Sequence, residues 1–315
     1  MTDSMLALSQ DEFGGPEVLR LTSLPVPRPS VGEILIRVRA ASVNPVDVYN
    51  RERGVLIGQL PFVLGWDVSG TVAAVGPGVT IHAPGDEVFG LLPFPRGHGA
   101  YAQFAVGPAR AFVPKPDRLT HVEAAALPLA GLTAWQALVE TAGLGAGSRV
   151  LITGAAGGVG HLAVQIAKAR GAHVIAQVSP DNAEFVRSLG ADELIDYTTT
   201  PDFTAVAGDL DIVLEAVGSY AAQAVAALKP GGVLVATLAQ SLAPVAEDAA
   251  RQGVRAVSLL VESDRLGMTA LAQLVEDGLL TPTVAATYPL GQAGLAQSTK
   301  SGPGKTVLVI DKELA

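Results

Sequence analysis

Residues 149–170 read RVLIT, then GAAGGVG, then HLAVQIAKAR: a short β-branched run, a glycine-rich heptapeptide, and apolar residues at helical spacing. Ala155, Gly157 and Gly160 stand at the spacing of G-x-G-x-x-G, with alanine in the first position. That spacing meets three demands: a tight turn, a bare backbone where a pyrophosphate approaches, and a small residue where helix meets strand. The helix that follows offers unpaired N–H groups and the positive end of its dipole. Val159, Leu162, Ala163, Ile166 and Ala167 give it an apolar face. A dinucleotide-binding strand–loop–helix is the reading.

The downstream pattern repeats the alternation. Strands are expected at HVIAQVS (173–179), ELIDY (193–197), DIVLEAV (211–217), GGVLVATL (231–238) and RAVSLLV (255–261), with helices near 181–189 and 219–228. Strands alternating with helices imply a parallel, doubly wound sheet, so the fold class is α/β. The first third differs. EILIRVRAASV (33–43), VSGTVAAV (68–75), DEVFGLL (86–92) and AYAQFAV (100–106) are short runs punctuated by Gly and Pro, which predicts a mainly β region without a long helix. After residue 264, DRLGMTALAQLVEDGLL predicts an amphipathic helix with Leu266, Ala270, Leu271, Leu274 and Val275 on one side, and TVLVI (306–310) predicts a strand returning to the first domain. With 315 residues, two domains are expected: 1–124 with 264–315, and 125–263.

Composition narrows the function. A net charge of −9 gives no general attraction for nucleic acid, so no nucleic-acid partner is expected. The chain has no cysteine, which removes disulfides, thiolate metal sites and thiol nucleophiles. The first residues carry two early acids and no basic region before an apolar run, and the longer uncharged windows are broken by Pro and Gly; no membrane segment and a cytoplasmic location are expected. SGPGKT (301–306) echoes a P-loop, but residue 299 is Thr and a strand follows where a P-loop needs a helix. No G-x-S-x-G elbow occurs, and His82, His98, His121, His161 and His173 show no ligand spacing, so no metal is expected. A structural or solvated role is the expectation for each of the five, with His98, in the glycine-rich RGHGAY loop, the one that stands apart.

Seven segments, in order and covering most of the chain, resemble the zinc-independent quinone oxidoreductases of the medium-chain dehydrogenase/reductase superfamily: ASVNPVDVYNRERG (41–54), LGWDVSGTVAAVG (64–76), GAYAQF (99–104), AAALPLAGLTAWQAL (124–138), GAAGGVG, LGADELIDY (189–197) and PGGVLV (230–235). The resemblance implies a Rossmann domain plus a mainly β, GroES-like catalytic domain. Zinc-dependent relatives place a cysteine and a His-Glu pair where this chain resembles them with Asn44 and with Trp66 and Asp67.

Without a metal to polarise an alcohol or carbonyl oxygen, the resemblance implies direct hydride transfer from a nicotinamide to a quinone or an α,β-unsaturated carbonyl. It implies Asn44 as a hydrogen-bond donor, Tyr49 as a donor or proton relay, and Asp47 as an organiser behind them. It implies a cofactor site at Thr133, Ala155, Ala156, Gly157, Gly158, Val159, Asn182, Tyr197, Val217, Thr237 and Lys300. Ser179, ending the second strand where an NAD-specific unit carries an acid, adds a donor for a 2′-phosphate and favours NADPH. Asp181 beside Asn182 opposes that choice, leaving Lys300 and Lys305 as the positive charges for the phosphate. The resemblance also implies a homodimer paired through RAVSLLV. A pathway-specific enoyl reductase and a catalytically inactive NADPH-binding protein stay open as alternatives.

Overall fold

The fold was obtained as a computed structural model that describes residues 4–310; residues 1–3 and 311–315, at the ends of the first expected domain, lie outside the described residues. The chain divides into two compact units: residues 1–129, 262–276 and 282–315, and residues 130–261 with 277–281.

The first unit opens with β1 (Ser4–Gln10) and β2 (Arg20–Pro25), an antiparallel pair. β3 (Glu33–Ser42) is the spine of the unit, long enough to pair twice along one edge. Next comes α1 (Pro45–Arg53), a helix in a region expected to be strands and turns. Pro45 begins it because a proline costs no hydrogen bond in the first turn, and Gly54 ends it in the left-handed region at φ +61°.

β4 (Phe62–Val63) completes the small sheet in the order β2-β1-β4. β5 (Asp67–Val75), β6 (Glu87–Leu91), β7 (Phe104–Pro108) and β8 (Phe112–Pro114) then build the larger sheet around β3. α2 (His121–Ala125) starts at Thr120, whose hydroxyl accepts from the Glu123 N–H while the Glu123 carboxylate accepts from Thr120 N. That reciprocal cap stops a helix from forming any earlier.

α3 (Pro128–Trp135) leads into the second unit and continues as a π-helical segment over Gln136–Thr141. There β9 (Arg149–Ile152), α4 (Gly160–Ala169), β10 (His173–Val178), α5 (Ala183–Ser188), β11 (Glu193–Asp196), β12 (Leu210–Glu215), α6 (Ala221–Ala227), β13 (Leu228–Ala236), α7 (Ala246–Gln252) and β14 (Arg255–Ser258) alternate. All strand pairings are parallel and the order is β11-β10-β9-β12-β13-β14. Counted within the unit this is 3-2-1-4-5-6, a Rossmann order whose direction reverses between β9 and β12. Leu151, Val213 and Leu234 from the central strands pack with Ala224 and Val225 of α6 in one core. Residues 277–281 join this unit through Gln165, which donates to the Thr281 carbonyl (3.0 Å) and accepts from its N–H (2.9 Å).

The chain then returns to the first unit with α8 (Arg265–Glu276), β15 (Val284–Pro289), α9 (Ala293–Ser298) and β16 (Lys305–Val309), giving the larger sheet the order β15-β16-β3-β5-β6-β8 with β7 also on β3. Two expectations need correction. The buried stripe of α8 runs through Met268, Leu271 and Val275, and Leu266, 80% exposed, lies on the opposite side of the helix. The segment expected as a seven-residue strand at 255–261 pairs only over Arg255–Ser258, because β13 offers register partners only through Ala236. Among the described residues no helix is long and apolar enough to cross a membrane.

Candidate functional site

In the Rossmann unit β9 stops at Ile152 and the glycine loop begins. Gly154 takes the left-handed conformation (φ +61°), so the tight turn falls one residue before Ala155, which is buried. Ala155 N–H donates to the Gln177 carbonyl of β10 (3.1 Å), and Gly157 N–H to the Gly154 carbonyl (2.9 Å). A Cβ on Gly160 would sit 2.3 Å from the Gly154 oxygen and 2.7 Å from Ala155 Cα, so only glycine lets α4 begin this close to the loop. A Cβ on the exposed Gly157 would meet only the Gly154 oxygen, at 3.2 Å, leaving the backbone open in front. Ala156, Gly158 and Val159 flank that opening and are half-buried. A bare backbone at a helix N-terminus fits a pyrophosphate.

The other Rossmann positions gather at the C-terminal ends of neighbouring parallel strands. Ser179 follows β10, Tyr197 follows β11, Val217 lies two residues past β12, and Thr237 follows β13. This is the edge at which such sheets bind ligands. The structure brings Asn182 to Ser179, its Nδ2 donating to Ser179 Oγ at 3.2 Å, while Asp181 points into solvent as an exposed residue. Thr133 is buried in α3, just before the π-helical segment. Lys300 is exposed between α9 and β16 and belongs to the first unit.

Two residues escaped the sequence reading here. Glu215, fully buried at the end of β12, accepts from the N–H groups of Val217 (3.0 Å) and Gly218 (2.7 Å) through Oε1, and Thr153 Oγ1 accepts from Ala216 N (2.9 Å). Together they fix the turn that carries Val217. The signal was an acid at the C-terminal end of the apolar run IVLE within DIVLEAV.

In the first unit Asn44 is the N-cap of α1, so Asn-Pro-Val-Asp is a helix start. Its backbone N–H donates to Asp47 Oδ2 (2.7 Å), which also accepts from the Tyr101 hydroxyl (3.0 Å). The Asn44 carboxamide is gripped on both sides: Nδ2 donates to Asp67 Oδ2 (2.6 Å), and Oδ1 accepts from Lys305 Nζ, which also donates to the Val43 carbonyl (3.0 Å). Asp67 accepts two further bonds, from Ser42 Oγ and from Leu129 N–H, each at 2.6 Å. Asn44, Asp47, Asp67, Ser42, Tyr101 and Lys305 are all buried.

Lys305 is therefore no phosphate ligand in a solvated loop; its first strand position turns it inward beneath β3. Tyr49, a turn further along α1, is 45% exposed. Of this cluster the sequence reading named Asn44 and Asp47 and missed Ser42, Tyr101 and the role of Lys305.

Burial sets the electrostatics. Desolvation, reinforced by Asp67, raises the Asp47 carboxyl from 3.8 to about 7 against the lowering pull of the Asn44 N–H, the Tyr101 hydroxyl and Lys305. Desolvation and the neighbouring Asp47 push the Tyr101 hydroxyl up, and desolvation lowers Lys305 although Asp67 and Asp47 oppose it. Between about pH 4 and pH 7 the folded state holds a proton on Asp47 that the unfolded chain has lost, so stability falls as pH rises through that window. The full span is on the order of 4 kcal/mol.

Asp47 Oδ1 has no partner among the described residues, so an asparagine keeps both acceptor bonds on its oxygen. Asp47→Asn is expected to flatten the stability profile between pH 4 and 7 in urea titrations. A slope equal to wild type would show that Asp47 is ionised throughout.

The position that resembles a histidine ligand is Trp66, fully buried and edge-on to Phe94 (centroids 5.2 Å apart). His98 finds its role here: Nδ1 donates to the Val63 carbonyl (2.8 Å) and the ring packs edge-on against Phe62 and Trp66. Among the described residues no group of three or more His, Asp or Glu could hold a metal ion.

Residues 30–117 match the alcohol dehydrogenase GroES-like domain model and residues 189–308 a model described as zinc-binding dehydrogenase. The structure of the quinone oxidoreductase from Coxiella burnetii superposes with a TM-score of 0.90 at 34% identity, covering 97% of this chain and 99% of that one. The mouse NAD(P)H oxidoreductase RTN4IP1, mitochondrial, is 44% identical over 210 residues, 60% of this chain and 52% of its own. The tomato 2-methylene-furan-3-one reductase is 38% identical over 242 residues, 73% of this chain and 61% of its own. The chain thus spans between about half and three fifths of the length of these two curated relatives. With both domain models matched and a full-length structural relative at this identity, the chain belongs to the zinc-independent, quinone oxidoreductase-like branch of the medium-chain dehydrogenase/reductase superfamily.

Proposed function

We propose that the protein is an NADPH-dependent oxidoreductase that reduces a quinone or an α,β-unsaturated carbonyl. The observation that carries this reading is Asn44: where zinc-bearing relatives place a cysteine ligand, this chain holds a buried carboxamide clamped between a carboxylate and an ammonium. Such a group cannot act as a Lewis acid, and it is suited to donate one hydrogen bond to an oxygen that gains charge. The names of the related proteins, a quinone oxidoreductase, an NAD(P)H oxidoreductase and a reductase of a conjugated ketone, agree with an electron-poor acceptor.

The nicotinamide, when bound, supplies the hydride. The glycine loop from Gly154 to Gly160 holds the pyrophosphate, and Val217, on the turn fixed by Glu215, lines the same strand-end edge. Ser179 Oγ, accepting from Asn182, has its own proton left to donate to a 2′-phosphate; no carboxylate ends β10 to bind a free ribose diol. In the other unit, the Nδ2 hydrogen of Asn44 that Asp67 does not take steadies the acceptor oxygen. Tyr49, on the exposed side of α1, delivers the proton.

Loss of NADPH absorbance with a panel of 1,4-quinones and enones tests the reading. Asn44→Ala is expected to lower kcat by about 100-fold and Tyr49→Phe by at least about 10-fold, with NADPH affinity unchanged. A wild-type protein that binds NADPH and turns over no member of the panel would instead be a binding protein of the same fold.

A further inference from the structure

We propose that Lys305 is a positioning residue of this reaction: its buried ammonium, with Asp67 opposite, locks the Asn44 carboxamide in the one orientation that can donate to the substrate. The inference rests on the function proposed above. An asparagine side chain presents an acceptor on one side and two donors on the other, and a half-turn about its last torsion exchanges them. Unrestrained, it serves a carbonyl that gains negative charge only part of the time.

Two fixed charges remove the choice at Asn44. Lys305 Nζ has hydrogens and no lone pair, so it must face Oδ1; the Asp67 carboxylate has lone pairs and no hydrogen, so it must face Nδ2, which reaches it at 2.6 Å. The reversed amide would set an N–H against an ammonium and a carbonyl against a carboxylate. One Nδ2 hydrogen remains for the substrate.

The lock is built from distant parts of the chain. Lys305 opens β16, its backbone N–H donates to the Thr283 carbonyl (2.9 Å), and its Nζ is pinned by the Val43 carbonyl as well as by Asn44. The groups facing it are Asp67 and Asp47, and both favour its charged form against burial. In a site that carries no zinc ligands, this ammonium is the cation buried with those carboxylates. It acts through Asn44 and does not touch the reacting atoms.

Three measurements on the full-length protein test this. In Lys305→Met, kcat is expected to fall about 100-fold while the NADPH dissociation constant, read by fluorescence titration, stays within threefold. In Lys305→Ala, which lacks the three carbons and nitrogen of propylamine, added propylammonium is expected to restore kcat at least tenfold while 1-propanol, of nearly the same size and uncharged, does not, a difference that a packing role would not produce.

In wild type, ¹⁵N–¹H spectra are expected to show the Lys305 ammonium exchanging far more slowly than surface lysines, and that test does not depend on either variant folding. A folded Lys305→Met with kcat within threefold of wild type, absence of rescue, or a fast-exchanging Lys305 overturns the proposal. Absence of turnover in wild type sinks the function proposed above, and the exchange measurement still reports on the lock.

Discussion

Gly160→Ala is expected to weaken NADPH binding by at least about 100-fold and to destabilise the fold, whereas Gly157→Ala is expected to weaken binding alone. The two glycines stand three residues apart in one loop and do different things. At Gly160 the new methyl would lie 2.3, 2.7 and 2.9 Å from the Gly154 oxygen and from Ala155 Cα and carbonyl carbon, all backbone atoms that no rotamer change can clear. α4 must move off the loop, which costs about 1–3 kcal/mol as overpacking does, and the N–H groups at its start move with it.

At Gly157 the methyl would approach only the Gly154 oxygen, at 3.2 Å, so the free protein accommodates it with a shift of a few tenths of an ångström. The methyl then stands on the open face where the pyrophosphate oxygens are to sit. Thermal unfolding separates the first effect and fluorescence titration the second. A Gly157→Ala protein that binds NADPH as wild type does would mean that the loop does not cradle phosphate. A Gly160→Ala protein as stable as wild type would remove the packing account.

What the sequence carried well was periodicity. The strands of the Rossmann unit and the loop between β9 and α4 were legible because each is set by residues close in the chain: β-branched runs, then glycines, then an apolar stripe. α1 was hidden because Asn44-Pro45 reads equally as a turn and as a capped helix start, and the capping acid, Asp47, resolves the choice only through its bond back to Asn44 N.

Leu266 differs for a related reason: a stripe read by residue type takes in a leucine at the helix start, whereas tertiary packing draws the line through Met268, roughly 160° round the helix from it. Lys305 lay furthest from reach. Its partner Asn44 is 261 residues away, and nothing local in SGPGKT distinguishes a solvated lysine from one turned inward by the first residue of a strand.

Asp67→Ala is expected to be the most damaging single change in the polar cluster, lowering stability by about 3–5 kcal/mol. The carboxylate is fully buried and accepts three hydrogen bonds of 2.6 Å, from Ser42 Oγ, Asn44 Nδ2 and Leu129 N–H. Truncation strands all three donors away from water and removes the carboxylate that lies across the Asn44 carboxamide from Lys305. Asp67→Asn should cost less, since its oxygen can replace Oδ2 for Ser42 and Asn44; its NH2 group then faces the Leu129 N–H, donor against donor.

Trp66, buried beside Asp67, gives a local reading of the unit in which the cluster lies. Urea unfolding followed by its fluorescence, in a Trp135→Phe background, avoids averaging over the second unit, which can unfold separately. An Asp67→Ala midpoint corresponding to a loss below about 1 kcal/mol would mean that water reaches the stranded donors, and that Asn44 is held by Lys305 alone.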